Sequence, residues 1–380
     1  MKVLVVMTAR LVGGAELYVE RLTRALAQDC AFTVAAASHP ALEDLRAHLG
    51  RWATVRAFPF DQARALPGLA PILRALADQQ DVVHLVSNHP ASRLGIGLAF
   101  ALGGRRVPLI CVEQRATPVA DVQVPRWLAP ALPTLFRWSR RGAARVVAVS
   151  RQSAACLTQD YGLPPGRIDV IYNGTDLDAL RSAPASTLRQ ELGLTAAQPV
   201  VVTAARLAPN KGQRYLVEAA PAILARHPHA HFILAGDTDD GGAVARQIAA
   251  AGLDAHFSLL GHRPDLANVL TAGDVFVLPS LAEGFALALV DALACGLPVV
   301  ATAVGGAPEV IQPGRTGWLV PPADAPALAQ ALNAALALPP AERARWRAAA
   351  QATAAQFSTP HMAAQTLALY RRVSAAPTSS

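Results

Sequence analysis

The sequence predicts an α/β chain made of two parallel-sheet halves in series. Short apolar runs of strand length alternate with amphipathic helical stretches over most of its length. That alternation marks parallel strands buried on both faces and joined by helices. It pauses once, across residues 177–198, where Pro184 and Pro199 punctuate a linker with a short helix. With 380 residues there is chain enough for two cores, and a hydrophobic content of 52% excludes a disordered polymer.

Taken in order, residues 3–7 form the first strand. A glycine turn at 10–16 and a helix from about 15 to 27 follow. Further strands are expected at 32–36, 82–86, 109–112 and 145–149, the last leading into a helix that Ser150 caps. The run 168–176 closes this half. A second series begins at 200–204 and continues at 231–235, 257–260, 275–278, 299–303 and 317–320. A late helix spans 358–373, and residues 374–380 are expected to be disordered. Two Rossmann-like halves with a hinge near residue 180 follow from this order.

The net charge of +7 favours anionic partners, among them nucleotide phosphates, an acidic membrane surface or nucleic acid. A composition bias rich in Arg and Ala accounts for the same charge. The basic residues are dispersed and no reader motif is present, so nucleic acid is not expected. The four cysteines are widely scattered, with no C-x-x-C pair, and suggest neither a zinc site nor a disulfide framework. A reducing cytoplasm is the expected location. The N-terminal apolar run is too short for a signal peptide. Residues 286–307 are nearly all apolar, but Asp291, Gly296 and Pro298 argue against a membrane span.

Residues 279–301 are the most informative stretch. They read as a strand end, a turn at Gly284, a helix, a stop at Gly296 and a second strand. A helix N-terminus beside a strand end is a ready phosphate site. Glu283 and Asp291 are eight residues apart, so they share a face if the helix starts at the glycine. Acids around such a site can hold sugar and ribose hydroxyls, which suggests a nucleotide-sugar site. The pattern Pro279-Ser280-x-x-Glu283-Gly284-Phe285 through Pro298-Val299-Val300-Ala301 resembles the signature of the retaining glycosyltransferases of family four, the group 1 glycosyl transferases. Ala286, Leu293 and Asp291 replace a usual Gly, Met and Glu.

The resemblance implies the GT-B fold, two Rossmann-like domains with parallel sheets facing across a cleft. Residues 1–180 would form the acceptor domain, with the helix 358–373 packing back on it, and residues 181–357 the nucleotide-sugar domain. It also implies that Glu283 contacts the donor sugar or its phosphate, that Gly284 and Phe285 line the donor site, and that Asp291 holds the ribose. Asp is one methylene shorter than the family's Glu, so that last contact would be weaker, bridged by water, or made by a shifted helix.

Arg206 and Lys211 lie five residues apart on one loop after a strand, a pairing that suits a pyrophosphate. The family's G-R-L-x-x-x-K-G matches here with Ala205 in place of its first Gly. Fixed cations that neutralise a departing nucleoside diphosphate remove the need for a metal. No metal and no cofactor are therefore expected beyond the UDP- or GDP-type donor. Gly13 and Gly14 open a helix and resemble the family's G-G-x-E loop, a second close approach to the donor. Gly305 and Gly306 can offer backbone N–H groups to phosphate or sugar. The acids Asp237, Asp239 and Asp240 contain a D-x-D pattern that binds a metal in other sugar transferases, but at this position they read as a solvated loop.

In the first half, many family members carry a His after a strand where this chain has Glu113-Gln114-Arg115. The segment is closer to the S-E-R-N of some branches. Glu113 and Arg115 are acceptor-side candidates, with an ion pair as the competing reading. His89 is a third candidate, whereas His84 reads as a core residue. Residues 126–141 mix Arg, Trp and aliphatics and suit a membrane-docking or lipid-acceptor segment, or a plain surface helix.

The expected activity is retaining, metal-independent glycosyl transfer to a hydroxyl, on a carbohydrate or lipid-linked intermediate of a surface polysaccharide. The protein would be cytoplasmic, peripheral on an anionic membrane surface. Two alternatives stay open: a degenerate subunit that only binds nucleotide-sugar, and a nucleotide-sugar 2-epimerase.

Overall fold

The computed structural model describes residues 1–8, 13–60, 66–86, 107–114, 131–140 and 142–375. They divide into two units: Met1–Gly174 with Thr359–Ser380, and Thr175–Ser358. Both sheets are parallel throughout.

Among the described residues the first unit holds seven strands: β1 (Lys2–Met7), β2 (Ala31–Ala37), β3 (Ala53–Phe58), β4 (Val82–Val86), β5 (Leu109–Glu113), β6 (Ala143–Ala148) and β7 (Ile168–Val170). Their order is β3-β2-β1-β4-β5-β6-β7. The central strands are buried along almost their whole length, as their largely apolar runs require. The edge strand β3 is half exposed and alternates inward and outward residues. Its sequence, broken by Arg56, carries no apolar run, and only pairing with β2 reveals it as a strand.

Ser150 caps the helix Arg151–Gln159 by accepting the Ser153 N–H at 3.0 Å, the contact expected of it. The C-terminal helix Thr359–Ala375 packs on the helix Gly14–Ala25 and on β4. It therefore extends into the stretch expected to be disordered, of which residues 376–380 lie outside the described residues. Its anchor is a buried polar chain. The Tyr370 hydroxyl meets His84 Nδ1 at 2.8 Å, and the Tyr18 hydroxyl meets His84 Nε2 at 3.3 Å. His84 is a buried core residue, and burial lowers its pKa to about 3, so the ring is neutral. Burial pushes both tyrosine hydroxyls well up. At the helix end Arg372 pairs with Asp169 at 2.6 Å. Burial raises the Asp169 pKa, but hydrogen bonds from Arg145 and Arg372 outweigh it and hold the carboxyl below its ordinary value.

The second unit holds β8 (Val200–Ala204), β9 (His231–Ala235), β10 (Phe257–Gly261), β11 (Val275–Leu278), β12 (Val299–Thr302) and β13 (Gly317–Val320). The sheet order is β10-β9-β8-β11-β12-β13. Its core forms between the sheet and the helices Gln213–Leu224 and Ala325–Leu336, around Phe232, Leu216, Val277 and Leu332. The chain winds from β8 to one side, then returns to β11 on the other. The connections that follow the neighbouring strands β8 and β11 thus run to opposite sides of the sheet, the switch point at which such a sheet has a crevice at its carboxyl ends.

Candidate functional site

Four loops at the carboxyl ends of β9, β8, β11 and β12 meet around that crevice. Backbone hydrogen bonds lace them together. Leu207 N–H donates to the Asp237 carbonyl at 2.8 Å and Asp239 N–H to the Leu207 carbonyl at 2.7 Å, tying the loops after β8 and β9. Leu281 N–H donates to the Asn210 carbonyl at 2.8 Å, tying the loops after β8 and β11. Gly306 N–H donates to the Gly284 carbonyl at 2.9 Å, tying the loops after β11 and β12.

Two glycines make these approaches. Gly212 has φ +67°, and an added Cβ would collide with the Pro279 carbonyl oxygen. Gly305 has φ +57°, and its Cβ would strike the Glu283 backbone. Only glycine meets both demands.

The cations expected to hold a diphosphate lie on this rim. Lys211 Nζ donates to Glu283 Oε1 at 2.6 Å, so the loops after β8 and β11 are joined by charge as well as by backbone. Arg206 Nη1 donates to Asp239 Oδ2 at 2.6 Å, and the pair is partly open to solvent. Two partly exposed cations beside a helix start form a site that an anion can claim from its carboxylate partners. Gln213, which opens the helix Gln213–Leu224, donates from Nε2 to the Arg206 carbonyl at 2.8 Å and fixes the turn between the two cations. No sequence pattern points to Gln213, because its partner is a backbone atom.

The D-x-D acids do not converge. Asp239 pairs with Arg206, Asp240 accepts the Gly242 and Val244 N–H groups, and Asp237 lies 4.0 Å from His262. Among the described residues no group of three or more His, Cys, Asp or Glu side chains is placed to hold a metal ion.

The helix of the signature starts at Leu287, not at Gly284. The Gly284 carbonyl is committed to Gly306, and the Phe285 ring packs on Phe357, so this stretch is held outside the helix. The one-face arrangement of Glu283 and Asp291 is thereby corrected, since Glu283 stands before the helix. Asp291 is only 2% exposed and accepts a hydrogen bond from the Thr175 hydroxyl. One turn on, burial and then the Asp291 charge push the Cys295 thiol up to about 12.

In the first unit, Gly13 and Gly14 begin the helix Gly14–Ala25. Gly13 is in extended backbone and its conformation does not demand glycine. Glu113 ends β5 fully buried, where Arg140 Nε donates to its Oε1 at 3.0 Å. The ion pair expected as the competing reading of Glu113 is thus present, and it holds Oε1. Neighbouring Gln114 exchanges two amide hydrogen bonds with Asn173, at 2.8 and 3.3 Å. Arg115 and His89 lie outside the described residues, as do 126–130 and 141 of the Arg- and Trp-rich segment. Its described part forms the helix Leu132–Ser139, on which Trp138 is 46% exposed.

Comparison with known proteins decides the family. The profile for Glycosyl transferases group 1 matches residues 198–337, and that for Glycosyltransferase Family 4 matches residues 12–179. The chain belongs to the family-four, group 1 glycosyltransferases. A D-inositol 3-phosphate glycosyltransferase of Mycolicibacterium paratuberculosis is 34% identical over 237 residues, 60% of this chain and 53% of that protein. The chain thus spans about half the length of the curated relatives it matches. The crystal structure of Anabaena HepE with UDP-glucose superposes with a TM-score of 0.84 at 27% identity, covering 98% of this chain and 100% of HepE. HepE with UDP gives 0.81 at 26% identity, with the same coverage. The two parallel-sheet units of this chain therefore match GT-B structures. No helix among the described residues is long and apolar enough to cross a membrane.

Proposed function

We propose that this glycosyltransferase moves a sugar from a UDP-linked donor to an acceptor hydroxyl, with retention at the anomeric carbon and without a metal. The observation that carries this reading is the Lys211–Glu283 pair across the switch point of the second sheet, with Arg206 on the same loop. UDP and UDP-glucose in the HepE structures support the choice of nucleotide over a GDP-type donor. We assign the donor to the second unit and the acceptor to the first.

In this reading the diphosphate draws Arg206 from Asp239 and shares Lys211 with Glu283. The C1–O bond to the diphosphate breaks while the acceptor oxygen bonds to C1 from the same face. The acceptor proton passes to the departing phosphate oxygen. Charge develops on that diphosphate, and the two cations are already beside it. Gly305 adds a backbone N–H group, while the Gly306 N–H stays committed to the Gly284 carbonyl; Gly284 and Phe285 shape the sugar end, and Glu283 accepts from a sugar hydroxyl. Asp291, whose Oδ1 accepts from Thr175, is assigned to the ribose.

The relatives' name supports a phosphorylated polyol as acceptor. A second reading, a lipid-linked or polysaccharide intermediate at an anionic membrane surface, is favoured by exposed Trp138 beside Arg137. In that reading Arg115 and His89 serve the acceptor.

The test is incubation of the purified chain with UDP-sugars, EDTA and a panel of inositol phosphates and lipid-linked glycans, with products read by mass spectrometry and NMR. A new α-linked product in EDTA is expected from an α-linked donor. An inverted product, or one that needs a divalent ion, contradicts the mechanism. Epimerised donor formed without acceptor establishes the 2-epimerase, and UDP binding with no product establishes the degenerate subunit.

A further inference from the structure

Glu283 is held by more than Lys211. The Ser280 hydroxyl donates to the same oxygen, Glu283 Oε1, at 2.6 Å, and Ser280 is fully buried. Ser280 is held in turn: the Thr302 hydroxyl, buried at the end of β12, donates to the Ser280 carbonyl at 2.5 Å. The chain Thr302–Ser280–Glu283–Lys211 therefore runs from β12 through the loop after β11 to the loop after β8. Oε1 takes one ammonium and one hydroxyl. Among the described residues, the other carboxylate oxygen, Oε2, has no hydrogen-bond partner.

We propose that Ser280 is a positioning residue that fixes which oxygen of Glu283 faces the donor sugar. A carboxylate on a flexible Glu stem can rotate about its last bond and present either oxygen. Held at Oε1 by Lys211 alone, it would swing with that long side chain. The second donor, on a short buried side chain, locks the plane of the carboxylate and leaves Oε2 to accept from a sugar hydroxyl. Lys211 is then free to lean toward the diphosphate without carrying Glu283 along. The lock serves recognition of the sugar and leaves recognition of the nucleotide to Arg206 and Lys211. This rests on the donor site proposed above.

The test compares Ser280→Ala with wild type by calorimetry, using UDP and UDP-glucose as the two probes, with thermal melting as the check on folding. In wild type, UDP-glucose binds with a defined ratio of Kd to that of UDP. In Ser280→Ala that ratio is expected to rise about tenfold, the effect of misplacing one charge-assisted hydrogen bond, while the Kd of UDP stays within about twofold. Thr302→Val, which keeps the shape and removes the next hydroxyl, is expected to move the ratio the same way by a smaller factor and keeps the idea testable if Ser280→Ala folds poorly. An unchanged ratio in both folded variants overturns the positioning role alone. Equal weakening of UDP and UDP-glucose also overturns it, since the effect is then a general loosening of the loops. A wild-type chain that binds neither probe overturns the donor site itself, and this proposal with it.

Discussion

At the scale of residues, Lys211 and Arg206 are read directly from the sequence, because five-residue spacing on one loop after a strand is a local pattern. Their carboxylate partners are not local: Glu283 is 72 residues from Lys211 and Asp239 is 33 from Arg206. Lys211→Ala removes the charge closest to Glu283 and is expected to slow turnover by about 10²-fold or more, measured as kcat under saturating donor. Wild-type turnover in that variant contradicts the assignment. Glu113 shows the opposite case. Its place after a strand suggested a substrate contact, but Arg140, 27 residues on, claims it in a buried pair. Removing one partner leaves a buried charge, so Arg140→Met is expected to cost roughly 3–5 kcal/mol in chemical denaturation. The double variant with Glu113→Leu is expected to recover most of that loss. Equal damage in the single and double variants contradicts the pairing. Asp291 was likewise legible as an acid on a helix, while its bond to Thr175 joins positions too distant for any sequence pattern to show.

At the scale of elements, strands with short, largely apolar runs were legible to within a residue or two: β4, β8, β9, β11 and β13 fall where the apolar pattern places them. The edge strand β3 was not, since half of it faces solvent and its alternation is weak. The signature helix starts three residues after Gly284 because a loop–loop hydrogen bond, invisible to periodicity, holds the glycine. The glycines that join the site's loops make a sharper prediction. Gly212→Ala adds a Cβ where φ is +67° and the Pro279 carbonyl stands in the way. The loops after β8 and β11 must separate to accept it, with strain of order 1–3 kcal/mol. Thermal melting is expected to fall and UDP binding to weaken together. An unchanged UDP affinity would show that the contact between these loops does not shape the site.

At the scale of the whole molecule, the sequence revealed two parallel-sheet halves but not what fastens the last helix to the first unit. That fastening runs through His84, whose partners Tyr18 and Tyr370 are 66 and 286 residues away. His84 titrates near 3 in the fold and near 6.5 in the unfolded chain. The unfolded chain therefore takes up a proton first as the pH falls. The stabilising contribution is complete above 6.5, declines as the pH drops toward 3, and levels off below. Between pH 7 and pH 5 wild type is expected to lose roughly 2 kcal/mol more than His84→Gln, measured by urea unfolding at both values. Parallel losses in the two proteins contradict a buried neutral His84.

The central claim is that the second unit holds a nucleoside diphosphate on Arg206 and Lys211 with no metal between them. Titration calorimetry of the intact chain with UDP in EDTA, beside Lys211→Ala, tests it most directly. The account predicts that wild type binds UDP in EDTA, more weakly as salt rises, and that Lys211→Ala weakens binding at least tenfold. UDP binding that vanishes in EDTA, or that Lys211→Ala leaves intact, would contradict it.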